Sequence, residues 1–312
     1  MQCIDQYIKS DTFALYCGDS CQVIKGIPSK SVDFSIFSPP FSSLFVYSDS
    51  IHDMGNCRSE EEFFRHFSYL APELLRVTVP GRLLAMHCSD IPSFKYKDGI
   101  IGLKDLPGMF IREMQSHGWI YHSRITIWKD PVVEMQRTKA KGLLHKQICK
   151  DSAQCRTGVA DTLLVFAAPG DAEKPVVRPN GFNPAEYVGT HDPEIKTSID
   201  VWQRYASPVW MDIRQSDTLN VRVARSCKDE KHICPLQLGV IKRAIHLWTM
   251  PGDVVFTPFL GIGSEAYCAV LMGRKAIGIE LKPEYFNIAK SNVNFALSEI
   301  TRPSLFGIGK AV

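Results

Sequence analysis

An α/β fold with a circularly permuted sheet is what this sequence predicts, on three observations. Short runs of β-branched and aromatic residues alternate with longer amphipathic segments along most of the chain. Gly261-Ile262-Gly263-Ser264-Glu265-Ala266 fits G-x-G-x-x-G/A after a strand and before a helix, the arrangement of a nucleotide-binding turn. Only one helix and a tail follow Glu280, which ends the next strand, so the strands such a sheet still lacks must come from the N-terminal half.

The composition permits that architecture. With 312 residues, 45% hydrophobic and 22% charged, the chain fills the core of one large domain, or of one domain with an insertion. Met1-Gln2-Cys3-Ile4-Asp5 lacks the features of a signal peptide, and no run approaches the roughly 18 apolar residues of a membrane span. The expectation is a cytoplasmic protein. Ten scattered cysteines without a Cys-x-x-Cys pair point to a reducing compartment, with neither a zinc site nor a disulfide framework. A net charge of +3 leaves nucleic acid open as a partner, so the distribution of charge decides more than its total.

The elements follow in order. A strand at 13–17 ends in Gly18-Asp19, residues 20–27 read as a short helix, and 31–37 as a strand with a near-continuous apolar face running into Ser38-Pro39-Pro40-Phe41. Residues 60–78 have helical apolar spacing (Phe63, Phe64, Phe67, Leu70, Leu74, Leu75), closed by Pro80-Gly81. A buried strand at 82–88, a helix at 107–117 stopped by Gly118, and strands at 121–128 and 162–168 come next.

Between the last two strands, residues 137–156 carry Arg137, Lys139, Lys141, Lys146, Lys150, Arg156 and His145 against one acid, Asp151, with no strong period. This reads as a mobile basic loop. A solvated face is its ordinary meaning, and contact with phosphates the sharper one. Residues 169–209 shift towards proline, glycine and scattered aromatics and are the candidate insertion. A helix at 235–248, a strand at 253–256, a helix at 263–272, a strand at 276–280 and a helix at 283–297 complete the pattern before a frayed tail.

If the strand at 31–37 neighbours that at 253–256, the loops 38–41 and 259–263 face one pocket beyond the carboxyl ends of the strands. Glu280 can then accept hydrogen bonds from both hydroxyls of a ribose, and the glycines let the backbone approach a ligand closely.

On these motifs the chain resembles the amino-group DNA methyltransferases, in the permuted class whose catalytic loop precedes a target-recognition region and whose cofactor motif comes last. Ser38-Pro39-Pro40-Phe41 matches the catalytic S/D/N-P-P-Y/F, and Phe259-x-Gly261-x-Gly263 the F-x-G-x-G cofactor loop, which continues into Ser264. The resemblance implies a Rossmann-like methyltransferase fold with helices on both faces of a mixed sheet. It implies S-adenosylmethionine as cofactor, double-stranded DNA as substrate and no metal. The division it suggests is a catalytic half (1–168), a target-recognition insertion (169–209), a cofactor half (210–298) and a tail (299–312), in a monomer or homodimer.

Residue roles follow from the same resemblance. Ser38 Oγ and the Pro39 carbonyl accept hydrogen bonds from a delocalised, weakly nucleophilic amine. Pro40 helps to fix the loop, and Phe41 offers a face to an extruded base. Asp19 matches the position that meets the cofactor's adenine amino group. The segment from His232 to Leu236 resembles the motif across its methionine end, with His232-Ile233-Cys234-Pro235 in place of His-Pro. Thr257 stands where the family often has an acid, which implies weaker cofactor binding or compensation by another acid. Cys234 does not match the loop of ring-carbon methyltransferases and reads as structural. Asp49, Asp53 and Asn56 are either polar contacts or caps.

Ser at the first loop position is typical of enzymes acting on the 4-amino group of cytosine, so cytosine is expected, with the 6-amino group of adenine as the alternative. A DNA-binding protein that keeps the cofactor pocket without catalysis is a further alternative. A nicotinamide oxidoreductase leaves Ser-Pro-Pro-Phe unexplained. The family's restriction-modification setting is expected too, although no nuclease signature appears in this chain.

Overall fold

The computed structural model describes residues 4–40, 52–93, 98–138, 143–219 and 236–302. Their strands are β1 (Gln6–Lys9), β2 (Phe13–Cys17), β3 (Val32–Phe37), β4 (Thr78–Cys88), β5 (Ile91–Ser93), β6 (Gly102–Lys104), β7 (Ile120–Ile127), β8 (Asp161–Ala167), β9 (Val209–Trp210), β10 (Val254–Thr257) and β11 (Lys275–Glu280). The main helices are α1 (Ser20–Val23), α2 (Glu60–Phe67), α3 (Ala71–Val77), α4 (Leu106–Ser116), α5 (Pro131–Thr138), α6 (His145–Ile148), α7 (Ser198–Tyr205), α8 (Leu238–Trp248), α9 (Ser264–Leu271) and α10 (Pro283–Thr301). No described helix is long and apolar enough to cross a membrane.

Nine strands form one mixed sheet in the order β1-β2-β11-β10-β3-β4-β8-β7-β9, and β5 pairs with β6 as a separate hairpin. The five from β2 to β4 are mutually parallel, and β8 and β7 add an antiparallel pair. The last two strands of the chain thus lie between two of the first three. β10 pairs directly with β3, with Val255 opposite Phe34 and Phe256 opposite Ser35. This is the permuted sheet that the late glycine turn requires. The order of strands across the sheet reverses between β10 and β3, and open α/β sheets form their crevices at such a point.

Both faces are covered, so the central strands are apolar on both sides instead of alternating. Phe34 and Ile36 of β3 pack with Val240, Ile241, Ala244, Ala269 and Val293 from α8, α9 and α10. Phe37 points the other way, into a cluster with Phe63, Phe67, Leu74 and Phe110 from α2, α3 and α4. The Phe67 and Phe110 rings meet edge to face at 5.2 Å.

Several elements differ from the sequence expectation. The helix expected over 60–78 is two, α2 and α3, because Pro72 has no amide to continue the first and sits in the first turn of the second. β4 begins at Thr78 and runs through Pro80-Gly81; its register with β3 shifts between Val32 and Phe34, near the proline that cannot join the ladder. Gly81 has φ +74° there, and a Cβ would lie 2.5 Å from the Ala172 amide nitrogen.

The basic stretch is not a loop throughout. Asp130 Oδ1 accepts the Val132 and Val133 amides at 2.9 and 3.0 Å at the start of α5, and α6 follows at His145. Residues 139–142 lie outside the described residues. β1, β5, β6 and β9 are too short to show a period and have no mark in the sequence.

The residues just after the expected insertion 169–209 join the main core, and the insertion itself reaches α8 through the Val188 carbonyl, which accepts from Arg243. Trp210 and Ile213 join the cluster under α8. Arg243 of α8 is fully buried, and Asp212 accepts from both its terminal nitrogens at 2.9 and 2.6 Å. The Tyr205 and Trp210 rings lie 5.0 and 4.9 Å from its guanidinium carbon. Tyr187 Oη also donates to Asp212.

Candidate active site

β3 delivers Ser38 to the carboxyl edge of the sheet, next to the end of β4. The two strands pair Phe37 with Met86, which brings Ser38 beside His87. Ser38 Oγ lies 3.3 Å from His87 Nδ1 and 3.3 Å from the His87 carbonyl oxygen. Ser38 is half-buried, Pro39 buried and Pro40 half-buried. Phe41 lies outside the described residues.

Behind Ser38 stand groups that no sequence motif marks. His87 Nε2 is 3.2 Å from Asp161 Oδ2, an ion-pair distance without the alignment of a full hydrogen bond. Lys129 Nζ pairs with Asp161 Oδ1. Burial alone would raise the Asp161 carboxyl, but His87 and Lys129 outweigh it and hold the group far below the usual carboxylate range. The adjacent Cys88 is buried, and burial pushes its thiol well up, so it is not a nucleophile.

On the other side of β3 is the glycine turn. Phe259 meets Phe37 at 5.7 Å between ring centroids, which joins the two loops physically. Leu260 N donates to the Ile279 carbonyl at 2.8 Å, and Gly261 N to Glu280 Oε2 at 2.7 Å. Gly261 has φ +53°, and a Cβ there would meet no protein atom within 4 Å. Gly263, at φ +91°, is required for a second reason: a Cβ would lie 3.0 Å from both Cα and Cβ of Ala289 in α10. One glycine opens space, and the other closes a helix contact.

Glu280 ends β11 with Oε2 on the Gly261 amide and Oε1 on the Lys282 amide at 2.9 Å. Each oxygen keeps a lone pair for a further donor. Its surroundings push its pKa up to about 7, burial first. Glu265, in the first turn of α9, is buried and is pushed up to about 8 by burial and then by the charge of Glu280. Ser264 Oγ and Thr257 Oγ1 are buried without a hydrogen-bond partner among the described residues. Asp19 caps α1 through the Cys21 amide at 3.0 Å and lies 3.5 Å from His52. The Gly18 amide donates to the Glu280 carbonyl at 2.8 Å, tying Asp19 to the same edge. Asp53 caps the turn Met54–Asn56 through the Gly55 amide.

The proposed phosphate-contacting residues divide. Lys146 and Lys150 are exposed on and after α6. Arg156 is half-buried and faces Glu134 at 3.6 Å. Arg137 lies within α5, whereas Lys139 and Lys141, like His232 and Cys234, are outside the described residues.

The DNA methylase family model for N6 and N4 methyltransferases matches residues 32–291. Among curated relatives, the type II methyltransferase M.MthZI of Methanothermobacter thermautotrophicus is 30% identical over 291 residues, covering 87% of this chain and 74% of its own length. M.BamHI of Bacillus amyloliquefaciens is 24% identical over 291 residues, 90% of this chain; the chain spans only 57% of that relative. Among solved structures, a Thermus thermophilus protein complexed with S-adenosylmethionine superposes with a TM-score of 0.61 at 20% identity, covering 91% of this chain and 95% of the other. The cytosine-N4-specific PvuII DNA methyltransferase gives 0.61 at 16% identity, covering 95% and 96%. These likenesses share the fold, and the family model spans both loops of the crevice: the chain belongs to the DNA methylase family of N6 and N4 methyltransferases.

Proposed function

We propose that this chain transfers a methyl group from S-adenosylmethionine to the exocyclic 4-amino group of cytosine in duplex DNA. The observation that carries the reading is Ser38, at the head of a Pro-Pro loop, joined through the Phe37–Phe259 contact to a glycine turn with open space at Gly261. The match to a cytosine-N4-specific enzyme is consistent with it, as is the serine at the first loop position.

The residues of the turn suit the cofactor. Glu280 has lone pairs for ribose hydroxyls, Asp19 is near for an adenine amino group, and the Phe259 ring edges the crevice. Thr257 brings no charge, but Glu265 is a buried acid on the same turn. An α-ammonium group beside it would draw its proton off, and the carboxylate then supplies the negative charge that the usual acid would give. The orphaned hydroxyls of Thr257 and Ser264 are further partners. When bound, S-adenosylmethionine supplies a methyl group on a sulfonium, an electrophile that needs no metal.

The chain's own part is orientation. The amine's lone pair is delocalised into the ring; acceptors on its two protons favour a more pyramidal nitrogen. Ser38 Oγ and the Pro39 carbonyl are those acceptors, held by a loop whose φ angles the prolines fix. A base inside a duplex cannot reach this crevice, so the target nucleotide is extruded, with Phe41 as its stacking face. Lys146 and Lys150 contact phosphates, and 169–209 reads base edges as the target-recognition insertion between the two halves. Ser38→Ala should abolish methyl transfer to DNA while leaving S-adenosylmethionine affinity unchanged; retained transfer would overturn the assignment.

A further inference from the structure

We propose that His87 is a positioning residue for methyl transfer: backed by Asp161 and Lys129, it takes the single hydroxyl hydrogen of Ser38, so that Ser38 Oγ meets the target amine with lone pairs alone. The inference rests on the reading that Ser38 receives the amine.

The geometry dictates the direction of each hydrogen. Asp161 is buried beside Lys129 and ionised, so both its oxygens only accept. His87 Nε2, 3.2 Å from one of them, therefore carries a hydrogen. In the neutral ring that leaves Nδ1 as an acceptor, 3.3 Å from Ser38 Oγ. The only other acceptor near Oγ among the described residues is the carbonyl of His87 itself, also at 3.3 Å. That carbonyl is present whatever the side chain, so what the imidazole adds is Nδ1, backed by Asp161, and it is Nδ1 that takes the serine hydrogen. A serine without this partner could turn its hydrogen towards the amine and oppose the amine's own protons.

The parts are carried by adjacent strands. Ser38 follows β3, His87 is the last residue but one of β4, Asp161 opens β8 opposite Ile127, and Lys129 follows β7. Such groups are held more firmly than loop residues. Among the described residues, Ser38 and Asp161 reach the His87 ring, and Lys129 lies behind Asp161. Farther out, Arg124, Asp90 and Asp105 act on the neighbouring Cys88.

The test is single-turnover transfer by the wild type, His87→Asn and His87→Ala, with S-adenosylmethionine affinity measured alongside. Asn can offer Oδ1 where Nδ1 lies. His87→Ala should lower the rate about 10- to 100-fold, the loss of an oriented hydrogen bond at the reacting centre, with affinity for S-adenosylmethionine within about twofold of wild type. His87→Asn should recover to within about fivefold of wild type. An unchanged rate in His87→Ala, or a His87→Asn no faster than His87→Ala, would overturn the proposal.

Nitrogen NMR of the wild-type protein with labelled histidine judges the hydrogen bond without any transfer. His87 should show the Nε2–H form at neutral pH, and Ser38→Ala should shift its Nδ1 signal. A neutral ring protonated on Nδ1, or a signal indifferent to Ser38→Ala, would refute the inference even in a protein inactive on DNA. Inactivity with the expected spectrum would instead fault the proposed reaction.

Discussion

Replacing Gly261 and Gly263 separately by alanine should divide one loop into a binding position and a folding position. At Gly263 the backbone is left-handed, φ +91°, which costs an alanine about 1–2 kcal/mol. The new methyl would also lie 3.0 Å from backbone and side chain of Ala289 in α10, a contact that a packed helix relieves only by shifting, for about 1–3 kcal/mol more. The reduced freedom of the unfolded chain returns about 0.4–1 kcal/mol. Gly263→Ala should thus lose roughly 2–4 kcal/mol in urea unfolding. Gly261 has φ +53° and open space around a Cβ, so Gly261→Ala should lose only about 1 kcal/mol. Its methyl, however, fills space assigned to the cofactor and should weaken S-adenosylmethionine binding at least about 100-fold by titration calorimetry, roughly 2.7 kcal/mol. Wild-type affinity in Gly261→Ala, or equal destabilisation by the two variants, would refute this account of the turn.

Other outcomes follow from the same contacts. Glu280 and Glu265 keep their protons to about 7 and about 8, whereas the unfolded chain releases them near 4.5, so their stabilising effect is full below that value and is lost as pH rises through the folded values. His246, lowered to about 4 by burial, is neutral in the folded chain over this range but half-protonated at about pH 6.5 in the unfolded one, so it offsets only about 0.4 kcal/mol of the fall. Urea unfolding of the protein without ligand should therefore show a fall of about 2 kcal/mol between about pH 6.5 and 8, most of it absent in Glu265→Gln; constant stability would contradict it. Arg243→Met removes the cation from a buried pair and should cost about 3–5 kcal/mol, since the Asp212 carboxylate is left with the Tyr187 hydroxyl and no counter-charge and the Val188 carbonyl loses both nitrogens that donate to it; a thermal melt within a degree of wild type would contradict it. Lys146→Ala and Lys150→Ala should each reduce the slope of log affinity against log salt by about 1, equally for all duplex sequences, in fluorescence titrations; unchanged slopes would remove these lysines from the interface.

The permuted sheet was legible because its signals are local and repeated. Gly261 and Gly263 follow a strand, Glu280 ends the next, and Ser38-Pro39-Pro40 closes another early in the chain. Ser38-Pro39-Pro40 was legible as a motif for the same reason. His87, Asp161 and Lys129 were not. They are single polar residues far apart in the chain, brought together by strand register alone. The usable sign was a histidine at the carboxyl end of the buried run 82–88, next to the strand that carries Ser38. Arg243 was hidden likewise, since its partners are single residues far away in the chain: Val188 lies within the candidate insertion 169–209, and Asp212 just after it. The break at Pro72 was readable from the backbone chemistry of proline and was masked by the strong apolar spacing on either side.

The most direct measurement is the identity of the modified base. Duplex DNA incubated with the protein and methyl-labelled S-adenosylmethionine, digested to nucleosides and separated, should carry its label on N4-methylcytosine. Label found only on N6-methyladenine would contradict the assignment of Ser38 to cytosine.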